Sequence, residues 1–276
     1  MTRTPAESGE GKGGLRMLIV VLAAPVTAAL ILLALYRHRR LQVARFARAV
    51  VLHCGGAPHE VAFTLGRAIF TDVLRLPKDP VFLTRLLAPL GASPVTVLRQ
   101  GGCCSGLHRL YITALDTLGI RSAQVTVLRR VNPEHAHCFV QVKADGDSYL
   151  IDVDYGVWFH DERGRPLGLT DLQRGVAPVI EPFASGVARY VGSSHTRPPG
   201  FPDRDYYRFD YELTRTANWA EGPVKRLAYC VLRPLTGGRI DRLLLPPVLE
   251  WPELLLAVAL CGCAMLALLA ARLFGA

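Results

Sequence analysis

The sequence lacks several patterns that would assign it to a common class. Its seven cysteines are odd in number and include no CxxC pair, so we predict neither a disulfide framework nor a finger-type zinc site. No internal repeat is visible. No DNA- or RNA-binding motif accompanies the formal net charge of +9, which argues against a nucleic-acid partner. We also predict no metal site and no cofactor.

Charge is absent from two long segments near the ends of the chain. Residues 17–36, MLIVVLAAPVTAALILLALY, are uncharged and have about the length that a helix needs to cross a bilayer. Residues 254–271 form a second uncharged run, apolar on every face. The RHRR that follows the first run argues against a cleaved signal peptide. We therefore predict two transmembrane helices, with the lipid bilayer as a partner.

These runs divide the chain into a disordered polar tail (1–16), a span (17–36), a domain (37–250) and a second span (254–271). More basic residues follow the first span than precede it, and further arginines precede the second span. The positive-inside rule then places the domain in the cytoplasm. We expect an integral protein of the inner or plasma membrane of a bacterium.

Within the domain, the spacing of apolar residues changes from helical to alternating. Three- and four-residue steps predict amphipathic helices in the segments 41–54, 59–76, 80–90 and 104–118. Alternation predicts strands in the segments 122–131, 137–144 and 148–156. Asp145-Gly146 between the last two is a hairpin signal. The sequence therefore predicts an α+β domain with a helix packed on an antiparallel sheet.

Two adjacent cysteines, Cys103 and Cys104, stand where a glycine turn runs into a predicted helix. A thiol at a helix N-terminus meets the positive end of the dipole and unpaired N–H groups, which lower its pKa and favour the nucleophilic thiolate. Those N–H groups can also stabilise an oxyanion. Such a nucleophile needs a base and an orienting group, and the hairpin offers His137 on one strand and Asp152 on the other.

Three motifs follow one another between about residues 95 and 160. They are Gly102, Cys104 and Gly106 ahead of Leu118-Gly119-Ile120, the strand HCFVQV at 137–142, and the strand YLIDVD at 149–154. This order resembles the transglutaminase-like cysteine hydrolase superfamily. The resemblance implies a papain-like fold and a triad of Cys104, His137 and Asp152 that forms an acyl-enzyme. Residues 99–104 and 152–156 are also similar, more distantly, to motifs of the arylamine N-acetyltransferases.

The resemblance also selects between neighbouring candidates. The distance to Leu118-Gly119 favours Cys104 over Cys103 as the nucleophile, and the strand motif favours His137 over His135 as the base.

The orienting carboxylate is less clearly defined. A symmetric turn at Asp145-Gly146 would place Asp154 opposite His137 and leave Asp152 as a diagonal neighbour on the same face. The family motif favours Asp152, with Asp154 as the reserve orienter. Gln100 is a candidate oxyanion donor.

The leading functional hypothesis is a membrane-anchored thiol enzyme that acts on amide or ester bonds, with a peptide or protein substrate. Acyl transfer to water would make it a protease or amidase, and transfer to an amine an acyltransferase. The alternative is a non-catalytic membrane scaffold that binds a peptide or assembly partner with the same fold, because Phe139 and Gln141 stand where the family commonly has Trp and Glu. A coenzyme A-dependent acetyltransferase ranks third, since no extra barrel domain is clear. No calcium-binding loop is apparent, which argues against calcium-activated crosslinking.

Overall fold

The computed structural model describes residues 10–76, 92–128, 136–182, 207, 209–215, 222–235 and 251–273, with side chains from residue 23 onward in the first helix. The chain divides into two compact units. One is Arg39–Glu250, and the other combines Met1–His38 with Trp251–Ala276. The predicted helix at 80–90 and the base candidate His135 lie outside the described residues.

The smaller unit contains the two apolar terminal segments. Helix α1 (Glu10–Val51) includes the first predicted span and continues past Leu41 as one helix. It begins at Glu10, so the predicted tail overlaps its first turns and otherwise lies outside the described residues. The last helix of the chain covers Pro252–Leu273, and the ring of its preceding Trp251 packs edge-on against Tyr36 at 5.3 Å.

Two membrane spans were predicted, and one candidate is found. Among the described residues, only Glu253–Ala270 is both long and apolar enough to cross a membrane, judged by length and composition. Part of the first predicted span, residues 17–36, falls on side chains outside the described set. The structure therefore corrects the expectation of two spans to one candidate.

Among the described residues between α1 and the sheet, the larger unit contains three helices. Helix α2 (Pro58–Asp72) starts at a proline, which suits the first helical position. Helix α3 (Pro94–Gln100) is capped by Ser93, whose Oγ accepts from the Thr96 N–H at 3.3 Å. Helix α4 (Cys104–Thr117) buries its apolar face, namely Leu107, Leu110, Tyr111, Ala114 and Leu115.

A six-stranded antiparallel sheet follows, in the order β5-β4-β3-β2-β1-β6. Its strands are β1 (Arg121–Leu128), β2 (Ala136–Ala144), β3 (Asp147–Asp152), β4 (Val157–His160), β5 (Val179–Pro182) and β6 (Asp210–Arg215). Short helices α5 (Leu169–Gln173) and α6 (Gly222–Leu235) come after β4 and β6, and the terminal helix Pro252–Leu273 is α7. The predicted α+β architecture is confirmed.

The central hairpin joins β2 to β3 at the predicted turn. Asp145 has φ 54° and Gly146 has φ 87°, as a two-residue type I′ turn requires. The register pairs Val140 with Ile151 and Lys143 with Ser148. Strand alternation then sends His137, Phe139 and Asp152 to one face of the sheet.

That face carries an aromatic and aliphatic core. Its fully buried members are Val125, Val127, Phe139, Leu150, Val157, Phe159, Leu167, Leu172 and Tyr207. Phe139 lies at its centre, with its ring 5.2 Å from Phe159 and 5.9 Å from Tyr207. Because His137 and Asp152 leave the sheet beside this core, both side chains are held in low-dielectric surroundings.

Candidate active site

The turn before Cys104 lies directly against the backbone of Leu74 and Leu76, because its residues are glycines. Gly101 has φ 94° and donates its N–H to Val97 at 2.8 Å. A Cβ at Gly101 would stand 2.5 Å from the carbonyl oxygen of Leu74. Gly102 donates to that same oxygen at 3.0 Å and accepts from the Leu76 N–H at 3.0 Å. The backbone therefore approaches too closely here for any side chain, and this contact fixes where helix α4 begins.

The structure places Cys104 at the first position of α4 and Cys103 at its N-cap. Both thiols are half-buried. The Cys103 Sγ lies 3.5 Å from the Ser105 Oγ. Cys104 therefore has the location expected for a nucleophile at a helix N-terminus.

The expected lowering of the Cys104 pKa is not found. Hydrogen bonds with the Cys103 and Cys138 side chains, followed by burial and the nearby acidic group of Asp154, raise the pKa of the Cys104 thiol well above its ordinary value. These contacts outweigh the helix dipole, which favours the thiolate. His137 is not among the groups that chiefly set the pKa of this thiol. The resting side chain is a protonated thiol.

The predicted base and orienter do meet. The Nε2 of His137 lies 2.7 Å from Oδ2 of Asp152, and both side chains are buried. Burial disfavours the charged imidazole, but the charge and hydrogen bond of Asp152 outweigh it and raise the pKa of His137 from 6.5 to about 9. Because Nε2 faces the carboxylate, Nδ1 is the ring nitrogen that would exchange a proton with a thiol.

Asp152 is held by more than its histidine. Its Oδ1 accepts the N–H groups of Asp154 at 2.9 Å and Tyr155 at 3.2 Å, and its Oδ2 accepts the Tyr207 hydroxyl at 3.0 Å. Burial alone would raise the pKa of Asp152, but the charge of His137 and further imidazole contacts hold it well below its usual range. The carboxylate is therefore ionised and fixed in orientation.

The reserve candidate Asp154 faces a different partner. Its Oδ1 lies 3.7 Å from Nε of Arg75, a side chain only 1% exposed. Burial and the charge of Asp152 raise the pKa of Asp154, and Arg75 opposes that shift. The guanidinium of Arg75 also donates to the carbonyls of Val153 at 2.7 Å and Asp154 at 3.1 Å. Asp154 thus belongs to the support of the loop that follows Asp152.

The hairpin geometry accounts for the choice between the two carboxylates. Continuing the β2–β3 register by steps would set Asp154 opposite His137 and Asp152 opposite Phe139. The imidazole nevertheless bonds the diagonal Asp152, because β3 ends at Asp152 and the chain turns there, with Gly156 N–H donating to the Asp152 carbonyl at 2.8 Å.

Three residues near the site were not identified from the sequence as part of it. Arg75 is a lone cation between Leu74 and Leu76, and Tyr207 belongs to an aromatic run. His108 is fully buried beside Asp152, and its spacing of four from Cys104 places both on one helix face. The predicted oxyanion donor Gln100 is exposed at the end of α3. Within the described ranges, no group of three His, Cys, Asp or Glu side chains is arranged to hold a metal ion.

Alkylation of Cys104 by iodoacetamide should accelerate as the pH rises through 9, by roughly tenfold per pH unit, because only the thiolate reacts and its pKa is raised. Mass spectrometry of the peptide would give the rate at each pH. In Cys138→Val the profile should move to lower pH, since one hydrogen-bond partner of the protonated thiol is lost. A rate already at its plateau at neutral pH would contradict this and indicate a preformed thiolate.

Comparison with known proteins bears on the central segment. The N-acetyltransferase family model matches residues 94–171, less than half of the chain, and this segment contains Cys104, His137 and Asp152. No curated protein matches. The solved structure of a suspected protease from Parabacteroides distasonis is similar at 17% identity with a TM-score of 0.31, over 46% of this chain and 26% of that chain, a likeness too low to carry an argument. The family match supports a cysteine-dependent acyltransferase of the papain-like kind, and the transglutaminase-like family is not confirmed.

Proposed function

We propose that this chain is a membrane-anchored acyltransferase that works through an acyl-enzyme on Cys104, with His137 as base and Asp152 as its orienting group. The observation that carries the proposal is the buried 2.7 Å pair of His137 and Asp152, in the segment similar to N-acetyltransferases. The half-buried thiol at the start of α4 supplies the nucleophile that such a pair serves.

The reaction would begin with transfer of the Cys104 proton to Nδ1 of His137. The sulfur then bonds to the acyl carbon of an ester, thioester or amide, and the leaving group departs with the proton returned by His137. N–H groups of the first turn of α4 would stabilise the negative carbonyl oxygen. An amine next attacks the thioester and gives its proton to His137, which restores the Cys104 thiol. Attack by water instead would make the protein a hydrolase.

Asp152 selects the tautomer in this scheme. Its carboxylate holds the proton on Nε2, so a neutral His137 presents the lone pair of Nδ1. Since the pKa of His137 is about 9, turnover should rise with pH toward that value, as the imidazolium loses its proton.

A non-catalytic scaffold is the second candidate, and one observation favours it. The raised pKa of Cys104 is what a packing cysteine would show, because a binding module needs no activated thiol. The scaffold does not by itself account for the buried pair of His137 and Asp152.

Both terminal helices support membrane anchoring. Each exposes large apolar side chains: Val26, Leu30, Ile31, Leu33 and Leu35 on α1, and Val258, Met265, Leu266, Leu268, Leu269 and Leu273 on α7. Such surface is unfavourable in water and suits lipid. We propose that α7, which contains the one candidate span among the described residues, crosses the bilayer and that the larger unit lies in the cytoplasm.

The test uses p-nitrophenyl acetate, a small activated ester, with the full-length chain in native membranes. Acid quenching followed by peptide fragmentation should locate an acetyl group on Cys104, and added aniline should speed p-nitrophenol release by accepting that group. Cys103→Ala should keep the adduct and Cys104→Ala should lose it. The acetylated chain should also stay in the membrane pellet through an alkaline carbonate wash.

An acetyl group found on Cys103, or aniline-dependent turnover that survives in Cys104→Ala, would remove Cys104 as the nucleophile. If Cys104 is acylated but aniline does not speed p-nitrophenol release, water is the acyl acceptor and the protein is a hydrolase. Release of the chain by the carbonate wash would refute anchoring without bearing on the chemistry.

A further inference from the structure

His108 connects the nucleophile turn to the rest of the site. It lies one helical turn after Cys104 on α4 and is fully buried. Its Nδ1 contacts the carbonyl oxygen of Cys104 at short range. Because a carbonyl oxygen can only accept, the proton of this contact sits on Nδ1.

The other ring nitrogen of His108 faces Asp152. Its Nε2 lies 3.5 Å from Oδ1 of Asp152 and, though buried, makes no hydrogen bond. The ring stands edge-on to that of His137, with centroids 6.1 Å apart. Asp152 is therefore flanked by two imidazoles, His137 at Oδ2 and His108 at Oδ1. A buried nitrogen without a hydrogen bond is costly. Facing a carboxylate oxygen at 3.5 Å, Nε2 is favourable only as an N–H donor, so the contact requires a proton on Nε2 as well as on Nδ1.

The carboxylate does not need His108 to satisfy its own hydrogen bonds. Oδ1 already accepts two backbone N–H groups, from Asp154 and Tyr155, and the loop beyond is held by Arg75. What His108 adds is a connection between two elements, since one rigid ring spans from the Cys104 carbonyl to the Asp152 carboxylate.

We propose that His108 is a positioning residue that sets the location of the Asp152 carboxylate relative to the turn carrying Cys104. The inference rests on the proposed function of Cys104, His137 and Asp152. A displaced carboxylate would turn the His137 ring, so that Nδ1 meets the thiol poorly. The loss would appear in the chemical step and not in substrate binding.

Two variants test separately the contacts that the two ring nitrogens of His108 make. In His108→Asn, the amide nitrogen takes the place of Nδ1 and keeps a donor for the Cys104 carbonyl, but nothing faces Asp152. In His108→Gln, the longer side chain places an amide N–H near the position of Nε2. We expect His108→Asn to lower kcat for p-nitrophenyl acetate with aniline about tenfold, with KM unchanged, and His108→Gln to recover at least a third of the wild-type kcat.

Cys104 alkylation by iodoacetamide is the control for the thiol, and it should be unchanged in both variants. A wild-type kcat in His108→Asn would overturn the inference, and so would equal losses in the two variants, which would indicate packing alone. The proposed function is judged separately: it fails if Cys104→Ala retains turnover, whereas an inactive Cys104→Ala beside a fully active His108→Asn refutes only the role of His108.

Discussion

Asp152→Asn should lower turnover of p-nitrophenyl acetate about a thousandfold. Asp152 now accepts from Nε2 of His137 at 2.7 Å and from the Tyr207 hydroxyl at 3.0 Å. An asparagine amide at this position would donate to Nε2, so the proton of a neutral His137 would move to Nδ1. That nitrogen could then no longer take the proton of Cys104. Steady-state kinetics of the purified variant would measure the loss.

The same variant should change how stability depends on pH. The pKa of His137 is raised from 6.5 to about 9, so the pair's contribution is fully present below pH 6.5 and is lost as the pH rises through about 9. For a buried group this shift corresponds to on the order of 3 kcal/mol. Urea denaturation of the wild type should show that decline, and Asp152→Asn should be less stable at pH 6 and flat across the window.

Asp154→Asn is the matched control, because it makes the same exchange two residues away. Asp154 has a raised pKa beside Asp152, so its neutralisation relieves repulsion, and its free energy of unfolding should change by about 1 kcal/mol or less. If Asp154→Asn lost turnover as severely as Asp152→Asn, the two carboxylates would have to exchange their assigned roles.

Gly101→Ala should destabilise the larger unit by about 3 kcal/mol. Its φ of 94° is unfavourable for alanine, and the new Cβ would stand 2.5 Å from the Leu74 carbonyl oxygen and 2.8 Å from the Leu74 Cβ. Backbone cannot yield as a flexible side chain would, so the pairing of Leu74 and Leu76 with Gly102 must open. Urea denaturation would measure the cost, and the iodoacetamide reactivity of Cys104 should rise as its turn loosens.

Gly119→Ala separates the steric clash from the backbone strain. Gly119 also has a positive φ, 77°, but a Cβ there would meet nothing within 4 Å. Only the conformational penalty applies, about 1 kcal/mol. Equal losses in Gly101→Ala and Gly119→Ala would show that the contact with Leu74 contributes nothing.

The sequence predicted the elements around the site because their signals are local. The change of period after Gly119, the Asp145-Gly146 turn and the apolar face of α4 depend on neighbouring residues alone, and each is found in the structure. The sequence left two carboxylates as possible partners of His137, because the strand register alone favours Asp154 and the family motif favours Asp152.

Other features depend on contacts that no local pattern reports. Hydrogen bonds with Cys103 and with Cys138, a residue of β2, raise the pKa of Cys104, so the helix dipole alone gave the wrong direction. The buried side chains of Arg75 and Tyr207 reach residues 152–154 from segments far along the chain. Only the spacing of His108 from Cys104 could have drawn attention to it in advance.

Arg75 and Tyr207 lie on opposite sides of residues 94–171, the segment similar to N-acetyltransferases, and each contacts the chain at or just after Asp152. An excised fragment limited to that segment would leave the Val153 and Asp154 carbonyls without their guanidinium and Asp152 without its phenol. The segment that matches the family model is thus shorter than the set of residues that holds Asp152 in place. A protein that has these motifs but different flanking segments would have to hold the same carboxylate in place with other residues.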